Sequence, residues 1–468
     1  MKCFFRSQTA FVAPLVVVFV ASSLFAGKGA LTTKVIDKIN SSFEMDTHTR
    51  AMYNSVTNND ISSLALNREV LRRHNEIFSH KIETKGVTNQ KKSGRCWLFA
   101  GLNILRPKVI ENNNLESFEF SQNYLAFWDK LEKANCFLEN IIKFAGRDML
   151  DREMEFLLRK PIPDGGYWEN VVNLVEKYGV VPREIMPETN SSGNTSLMNA
   201  LISRKLRADA VKLRNMHEQE QSLKKLRAEK TKMLADVYKM LVLNLGRPPA
   251  EFEWRFEDAN SIVSKIRTYS PKSFYEEFVN VDLSQYVDIF NDPSKEYGKH
   301  YNINLTRNIR DGDDAHFANV KMQILKDIAV KAVLDDEPIW FSCDVGKDQS
   351  NEYGIMAMGM FDYDSIYMTD MAMTKAQRSL FRESVPNHAM VFIGVDMQKD
   401  KPAKWLVENS WGDDKGSKGL WTLYDSWFDA NVYSIIVKKK YVPKEILDIY
   451  EQPAIKLPPW DPAYSFVQ

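Results

Sequence analysis

The spacing of apolar positions divides the chain into a helix-patterned front and a strand-patterned back. After an uncharged run from Ala10 to Ala26, residues 27–60 are mostly polar and read as a flexible lead-in. From Ile61 to His80 the positions Leu64, Leu66, Val70 and Leu71 recur on one face and predict a helix. Residues 84–94, with Gly86, Asn89, Ser93 and Gly94, read as loop. Leu98, Leu102 and Leu105 then predict an amphipathic helix that opens at Cys96 and ends or kinks at Pro107. Further helices are predicted over residues 117–145 and 168–179, parted by a turn at Pro163-Asp164-Gly165-Gly166, and over a long charge-mixed stretch, residues 198–245. Residues 246–320, rich in Pro, Asn, Asp and Tyr, read as irregular. A helix from Met322 to Leu334 leads into a strand over Pro338–Cys343, and the last third is strand-rich: Ala389–Val395 follows His388, Lys404–Asn409 alternates at period two, and Leu420–Tyr424 continues it. Helices first and antiparallel strands later predict an α+β fold.

Composition narrows the function classes. The chain has 468 residues, long enough for one elaborated domain or two to three. Aromatics at 12%, with 10 Trp, call for a large filled core. Lys+Arg and Asp+Glu are both 62, so no general nucleic-acid-binding surface is expected. The basic cluster Lys224, Lys225, Arg227, Lys230 and Lys232 is interleaved with Glu218, Glu220 and Glu229 and reads as a solvated helical face. Four cysteines, Cys3, Cys96, Cys136 and Cys343, make no disulfide scaffold, and no CxxC pair or zinc-type Cys/His spacing occurs. HExxH, GxSxG, GxxxxGK[ST] and GxGxxG are all missing, so no metal or cofactor is expected.

The N-terminus carries an address. Lys2 and Arg6 precede the Ala10–Ala26 run, the pattern of a secretory signal over residues 1–26. The alternatives are an uncleaved membrane anchor, which is the one route by which a membrane enters this picture, or neither.

Chemistry converges on a thiol. At a helix N-terminus the unpaired N–H groups and the helix dipole favour thiolate, the attacking form. A histidine must take the proton and a third group must orient it. His388 begins one strand and Asn409 ends the next, so antiparallel pairing can bring them together. Gln90, in the loop before Cys96, can donate its amide N–H to an oxyanion. Taken singly these signals are weak, and spacing alone does not choose His388 over His300 or His316.

The segment Thr88-Asn89-Gln90-Lys91-Lys92-Ser93-Gly94-Arg95-Cys96-Trp97-Leu98-Phe99 resembles the active-site segment of papain-like cysteine peptidases, in the Ser-Gly-Arg-Cys-Trp form of the bleomycin hydrolase and bacterial aminopeptidase C family. Asp164-Gly165-Gly166, Cys343-Asp344-Val345-Gly346-Lys347, Asn387-His388-Ala389-Met390, Val407-Glu408-Asn409-Ser410-Trp411-Gly412 and Leu457-Pro458-Pro459-Trp460-Asp461-Pro462 agree in order, from about residue 45 to the end.

The resemblance implies a two-lobed peptidase domain over residues 61–468, helical on one side and sheet-rich on the other, with Cys96 facing His388 and Asn409 across a cleft. It implies an oxyanion hole from Gln90 and the Cys96 N–H, and Trp411 shielding the His–Asn bond. It implies that Gly165 and Gly166 contact the substrate backbone, for which a bare turn is the alternative. Cys136 and Cys343 are expected to be buried free thiols. Insertions over about 187–320 would serve oligomer assembly, with a homohexamer usual in the family. A tail, 457–468, would bring the Gln468 carboxylate to the substrate's free amino terminus. The expected activity is a cysteine aminopeptidase acting on peptides. A dipeptidyl peptidase or endopeptidase of the same chemistry and an inactive peptide-binding relative are the alternatives. The signal-like segment points to a periplasmic or secreted protein, whereas familiar members are cytosolic.

Overall fold

The computed structural model describes residues 28–462; the signal segment 1–26 and Gln468, with the rest of the tail after Pro462, lie outside the described residues. Two compact units are distinguished, one up to Leu64 and one from Ala65 onward. In the first, the sequence expectation of a flexible lead-in is corrected. Thr33–Ser42 (α1) and Thr47–Asn58 (α2) are helices, capped by the Thr32 and Asp46 side chains. Good N-caps satisfy orphan amides of a short polar helix, a local signal that the apolar pattern does not register.

The helix predicted over 61–80 is two short turns, Ile61–Ala65 and Arg68–Arg73, followed by an extended run into β1 (His80–Lys81). Helices α3 (Cys96–Asn103) and α4 (Arg106–Asn112) follow, with Pro107 in the first turn of α4, where its missing N–H is no loss. Next come α5 (Gln122–Lys143), α6 (Arg152–Arg159), α7 (Trp168–Tyr178), α8 (Ser196–Glu218) and α9 (Leu223–Leu245). The single long stretch expected at 198–245 is thus two helices. Glu220 adopts a left-handed φ of 52° between them, and both pack on α5.

A 12-stranded mixed sheet forms the other lobe. Its strands are β1, β2 (Tyr286–Phe290), β3 (Lys299–Ile303), β4 (His316–Asn319), β5 (Ile339–Cys343), β6 (Gln349–Ser350), β7 (Ile355–Met356), β8 (His388–Gln398), β9 (Lys401–Glu408), β10 (Leu420–Tyr424), β11 (Val432–Lys438) and β12 (Ile455–Leu457). They lie in the order β12-β3-β4-β2-β11-β5-β8-β9-β10-β7-β6, with β1 beside β8. Residues 246–320, expected to be irregular, supply β2, β3 and β4 and a separate hairpin, Phe252–Trp254 with Arg267–Tyr269. Their polar residues are consumed internally: Asn319 Nδ2 donates to the carbonyls of Asp292, Lys295 and Glu296.

The sheet's core is aromatic. Phe392 stacks on Phe341 at 3.7 Å between ring centroids and meets Trp405 and Phe428. Trp97, Trp340, Trp405, Trp421 and Trp427 are fully buried. The lobes are joined where the Trp340 indole donates to the Trp97 carbonyl at 3.0 Å. α10 (Met322–Leu334) packs against β5, β8 and β11.

Candidate active site

Cys96 is the first residue of α3, and Arg95 before it is the N-cap without a capping side chain. Arg95 instead faces inward. Its guanidinium forms a two-pronged ion pair with Glu188, donates to Ser93 Oγ and to the Ser192 carbonyl, and lies over the Phe99 ring. That pins the residue next to the thiol to the segment leading into α8. On the other side, Asp164 accepts from the Gly94 N–H at 3.0 Å, from Lys130 and Asn199 at 2.6 Å each, and from the Thr195 hydroxyl. Burial alone would raise the Asp164 carboxyl, but Lys130 and these donors hold it far below the usual carboxylate range. The turn carrying Cys96 is therefore clamped by the buried Arg95 guanidinium and the half-buried Asp164 carboxylate, and sequence reading assigned a role to neither. A buried Arg or Asp gives no periodic signal.

His388 opens β8 and pairs with Cys343 of β5. β8 and β9 are antiparallel, with Val391 opposite Glu408. Continuing that register past β9 would put Trp411 opposite His388 and Asn409 on the diagonal. The side chains agree. His388 Nε2 and Asn409 Oδ1 are 2.9 Å apart, and the Trp411 ring lies over the imidazole at 4.9 Å between centroids. Asn409 Oδ1 also accepts from the Ser410 N–H, so the amide is turned with its oxygen toward the histidine. With Nε2 donating to Asn409, Nδ1 is the nitrogen left to receive a proton. Cys96 is within reach of this strand, because α3 packs on β8 and Cys96 and His388 line the same cleft.

Asn409 is held in turn by its neighbour. Glu408 is fully buried and pairs with Arg106 of α4 at 2.7 Å, while Asn103 of α3 donates to the same carboxylate at 2.8 Å. Residues 88–90 run antiparallel to 410–412: Gln90 N–H donates to Ser410 O at 2.8 Å and Gly412 N–H to Thr88 O at 3.0 Å. Gly412 is required there. Its φ is 82°, and a Cβ would lie 2.5 Å from Asn89 Nδ2.

This pairing brings Gln90 to the site. Its Oε1 accepts from Ser410 Oγ at 2.6 Å and its Nε2 donates to Ser93 O at 2.5 Å, which leaves one Nε2 hydrogen for a ligand. Gln90, Gly94, Cys96, Asp164, Gly165 and His388 all line one cleft of about 620 Å³. Gly166 does not line it. It is buried under Trp97, where a Cβ would come within 2.5 Å of the indole, so of the glycine pair Gly165 alone faces the cleft.

Burial pushes the Cys96 thiol up to about 11 and pulls the His388 imidazole down to about 4, the latter opposed by the hydrogen bond to Asn409. Each ion by itself is poorly solvated here. Moving the Cys96 proton to His388 makes both ions at once, and their attraction in a low-dielectric cleft offsets the desolvation. Cys136 and Cys343 are buried free thiols, as expected, and burial raises both. Among the described residues no three His, Cys, Asp or Glu side chains converge to hold a metal ion.

A model of the Peptidase C1-like family matches residues 30–463. Aminopeptidase C of Listeria monocytogenes is 40% identical over 391 residues, 83% of this chain and 88% of the relative. Bleomycin hydrolase of Homo sapiens is 36% identical over 418 residues, 87% of this chain and 92% of the relative. The crystal structure of PepW from Lactobacillus rhamnosis superposes with a TM-score of 0.90 at 38% identity, covering 93% of this chain and 99% of that one.

Proposed function

The chain belongs to the Peptidase C1-like family, and on that footing we propose that it is a cysteine aminopeptidase of the bleomycin hydrolase type, removing N-terminal residues from peptides. The observation that carries the chemistry is the His388–Asn409 bond under Trp411, which leaves Nδ1 of the imidazole for the thiol at the start of α3. The Cys96 sulfur, its proton passed to His388, adds to the scissile carbonyl carbon. The resulting oxyanion lies toward the Cys96 N–H and the remaining Gln90 amide hydrogen. The C–N bond breaks as His388 returns the proton to the leaving amine, giving a thioester. Water then gives a proton to His388 and its oxygen to the acyl carbon, and the acid leaves as the thiol is restored.

The restriction to amino termini is supported by relatives bearing that activity in their names and by the anchoring of the chain just before its last residues. The Trp460 ring sits under Arg152 of α6 at 4.2 Å and against Phe156, and Asp461 pairs with Lys295 at 2.8 Å. α6 ends at Arg159, which lines the catalytic cleft. In this reading the segment after Pro462 blocks the non-primed side of that cleft. Kinetics on matched free and N-acetylated peptides test this, with Cys96→Ala as control. Hydrolysis of the free peptide alone, absent in Cys96→Ala, is expected; equal rates on both substrates would make the enzyme an endopeptidase.

The same reading includes export directed by residues 1–26 and assembly into a homohexamer. Assembly is supported by the exposed apolar side chains Leu197, Val211, Leu243 and Ile262 on the inserted segments. Light scattering of the purified chain and N-terminal sequencing of the native protein check these two points.

A further inference from the structure

The catalytic cleft carries a charge that the acyl-transfer chemistry does not use. Three of the side chains lining it are basic: Arg159 and Lys160 at the end of α6, and Arg207 of α8. They stand together on a chain whose formal total is zero. Among the described residues one carboxylate, Asp164, shares the lining, and it is already committed. Lys130 balances its charge, and the Gly94 N–H, the Thr195 hydroxyl and the Asn199 amide fill its remaining acceptor sites.

The bases themselves meet no strong acid. Arg159 Nη2 lies 3.6 Å from Glu155 Oε1, with both side chains largely exposed, a pair worth little in water. Arg207 gives Nε to the Leu158 carbonyl at 2.9 Å and Nη2 to the Arg159 carbonyl at 2.8 Å. Those bonds dock the end of α6 on α8 and so fix where Arg159 and Lys160 stand. All three bases are exposed, so a ligand entering the cleft can reach them. What that ligand is follows from the same cleft: it holds Cys96 and His388, so a scissile peptide bond lies there. Lys160 leads through Ile162 and Pro163 to Gly165, the residue set against the substrate backbone. In an aminopeptidase only one substrate residue lies on the acyl side of the scissile bond. Its side chain is therefore the one presented to these bases, and a carboxylate is what they complement.

We propose that the enzyme favours peptides whose N-terminal residue is acidic, Asp or Glu, with Lys160 and Arg159 taking the side-chain carboxylate. This rests on the peptidase reading and adds the substrate's side chain to it. The probes are the aminomethylcoumarin amides of Asp and Asn, alike in shape and different in charge, each with a free and an N-acetylated amino group. On the full chain, kcat/KM is expected to be about three- to tenfold higher for Asp than for Asn, the discrimination of two exposed ion pairs. The ratio should fall toward one in about 1 M NaCl, where the Debye length is about 3 Å. Lys160→Gln should lower the ratio, and Lys160→Glu should turn it below one. Bases at the end of α6 also complement the helix dipole, a role that does not distinguish Asp from Asn, so the ratio separates the two roles. The Cys96→Ala chain titrated calorimetrically with Asp-Ala-Ala and Asn-Ala-Ala reads the same discrimination without turnover. An inert enzyme that still discriminates there would overturn the peptidase reading and support this one. Cleavage of the acetylated pair with the same Asp/Asn ratio would overturn only the restriction to amino termini. A ratio of one in the parent, by kinetics or, if nothing is turned over, by calorimetry, would overturn the proposal. So would a ratio that salt leaves unchanged or that Lys160→Glu does not move.

Discussion

The thiol of Cys96 and the imidazole of His388 share one labile proton, and their titration belongs to the pair. Below about 4 both are protonated, and His388 cannot act as base. At high pH the shared proton is lost, at a value above the ordinary 9.0 of a thiol, because burial pushes Cys96 up. kcat/KM should therefore follow a bell with its acid limb near 4. Asn409 accepts from the imidazole and so favours its charged form. Asn409→Ala should shift the acid limb down and cost about 10- to 100-fold in rate through lost orientation. Asn409→Asp, which places a negative charge beside the imidazolium, should shift that limb up. A pH profile unchanged in both variants would remove Asn409 from this role. His388 also bears on stability. Its folded value lies below the unfolded 6.5, so the unfolded chain binds the proton more readily, and this residue subtracts stability as pH falls from 6.5 through about 4. Iodoacetamide should label Cys96 in preference to Cys136, since Cys136 is buried away from the cleft with its thiol pushed up to about 12; mass spectrometry of the alkylated folded protein reads this.

Between elements, the site depends on joints that hold the reacting groups in place. The Arg106–Glu408 pair holds the end of β9 to α4, and so holds Asn409 opposite α3. Glu408→Gln leaves Arg106 buried and uncompensated, which is expected to cost about 3–5 kcal/mol, read as a lowered Tm. It should also lower kcat through displacement of Asn409, with KM little changed. The joint between residues 88–90 and 410–412 is as demanding. Gly412→Ala places a methyl against Asn89 at a positive φ and should destabilise by ~1–3 kcal/mol. If that variant melts and turns over like the parent, the strand pair 88–90/410–412 is not what positions Gln90.

At the scale of the whole molecule, the tail is the element that would convert an open cleft into one closed at an end. Trp460 ties it to α6, Asp461 ties it to Lys295, and the Trp460 carbonyl accepts from Arg382 at 3.2 Å. Deleting residues 463–468 leaves those anchors in place. The preference for free over N-acetylated peptides should fall by roughly 10- to 150-fold, the factor that matches the ~1.5–3 kcal/mol of a charge-assisted hydrogen bond, while hydrolysis of internal bonds persists. Full retention of the preference would show that the tail has no such part.

What could be read from the chain alone was local or motif-borne. The helix opening at Cys96 follows from Leu98, Leu102 and Leu105 after a Gly-containing loop, the strand at His388 from the apolar run after it, and the next strand from period-two alternation; the first two begin in the structure where read, and the third, expected to end at Asn409, ends one residue earlier at Glu408. The choice of His388 among seven histidines did not come from that periodicity but from the resemblance of the surrounding motifs. Short capped helices at α1 and α2 and the left-handed break at Glu220 escaped because they rest on single side chains and single dihedrals rather than on a repeating face. Strands β2 to β4 escaped because their polar residues are satisfied by groups distant in sequence, the Asp288 carboxylate by the Ser434 hydroxyl and the Asn319 amide by the Asp292 carbonyl, and a pattern of burial cannot register a partner it has not met. The tertiary structure alone decided which groups hold the site. Arg95, Asp164 and the Arg106–Glu408 pair look like surface charge in a sequence, and only the meeting of segments tens to hundreds of residues apart supplies the partners that offset the cost of taking them out of water.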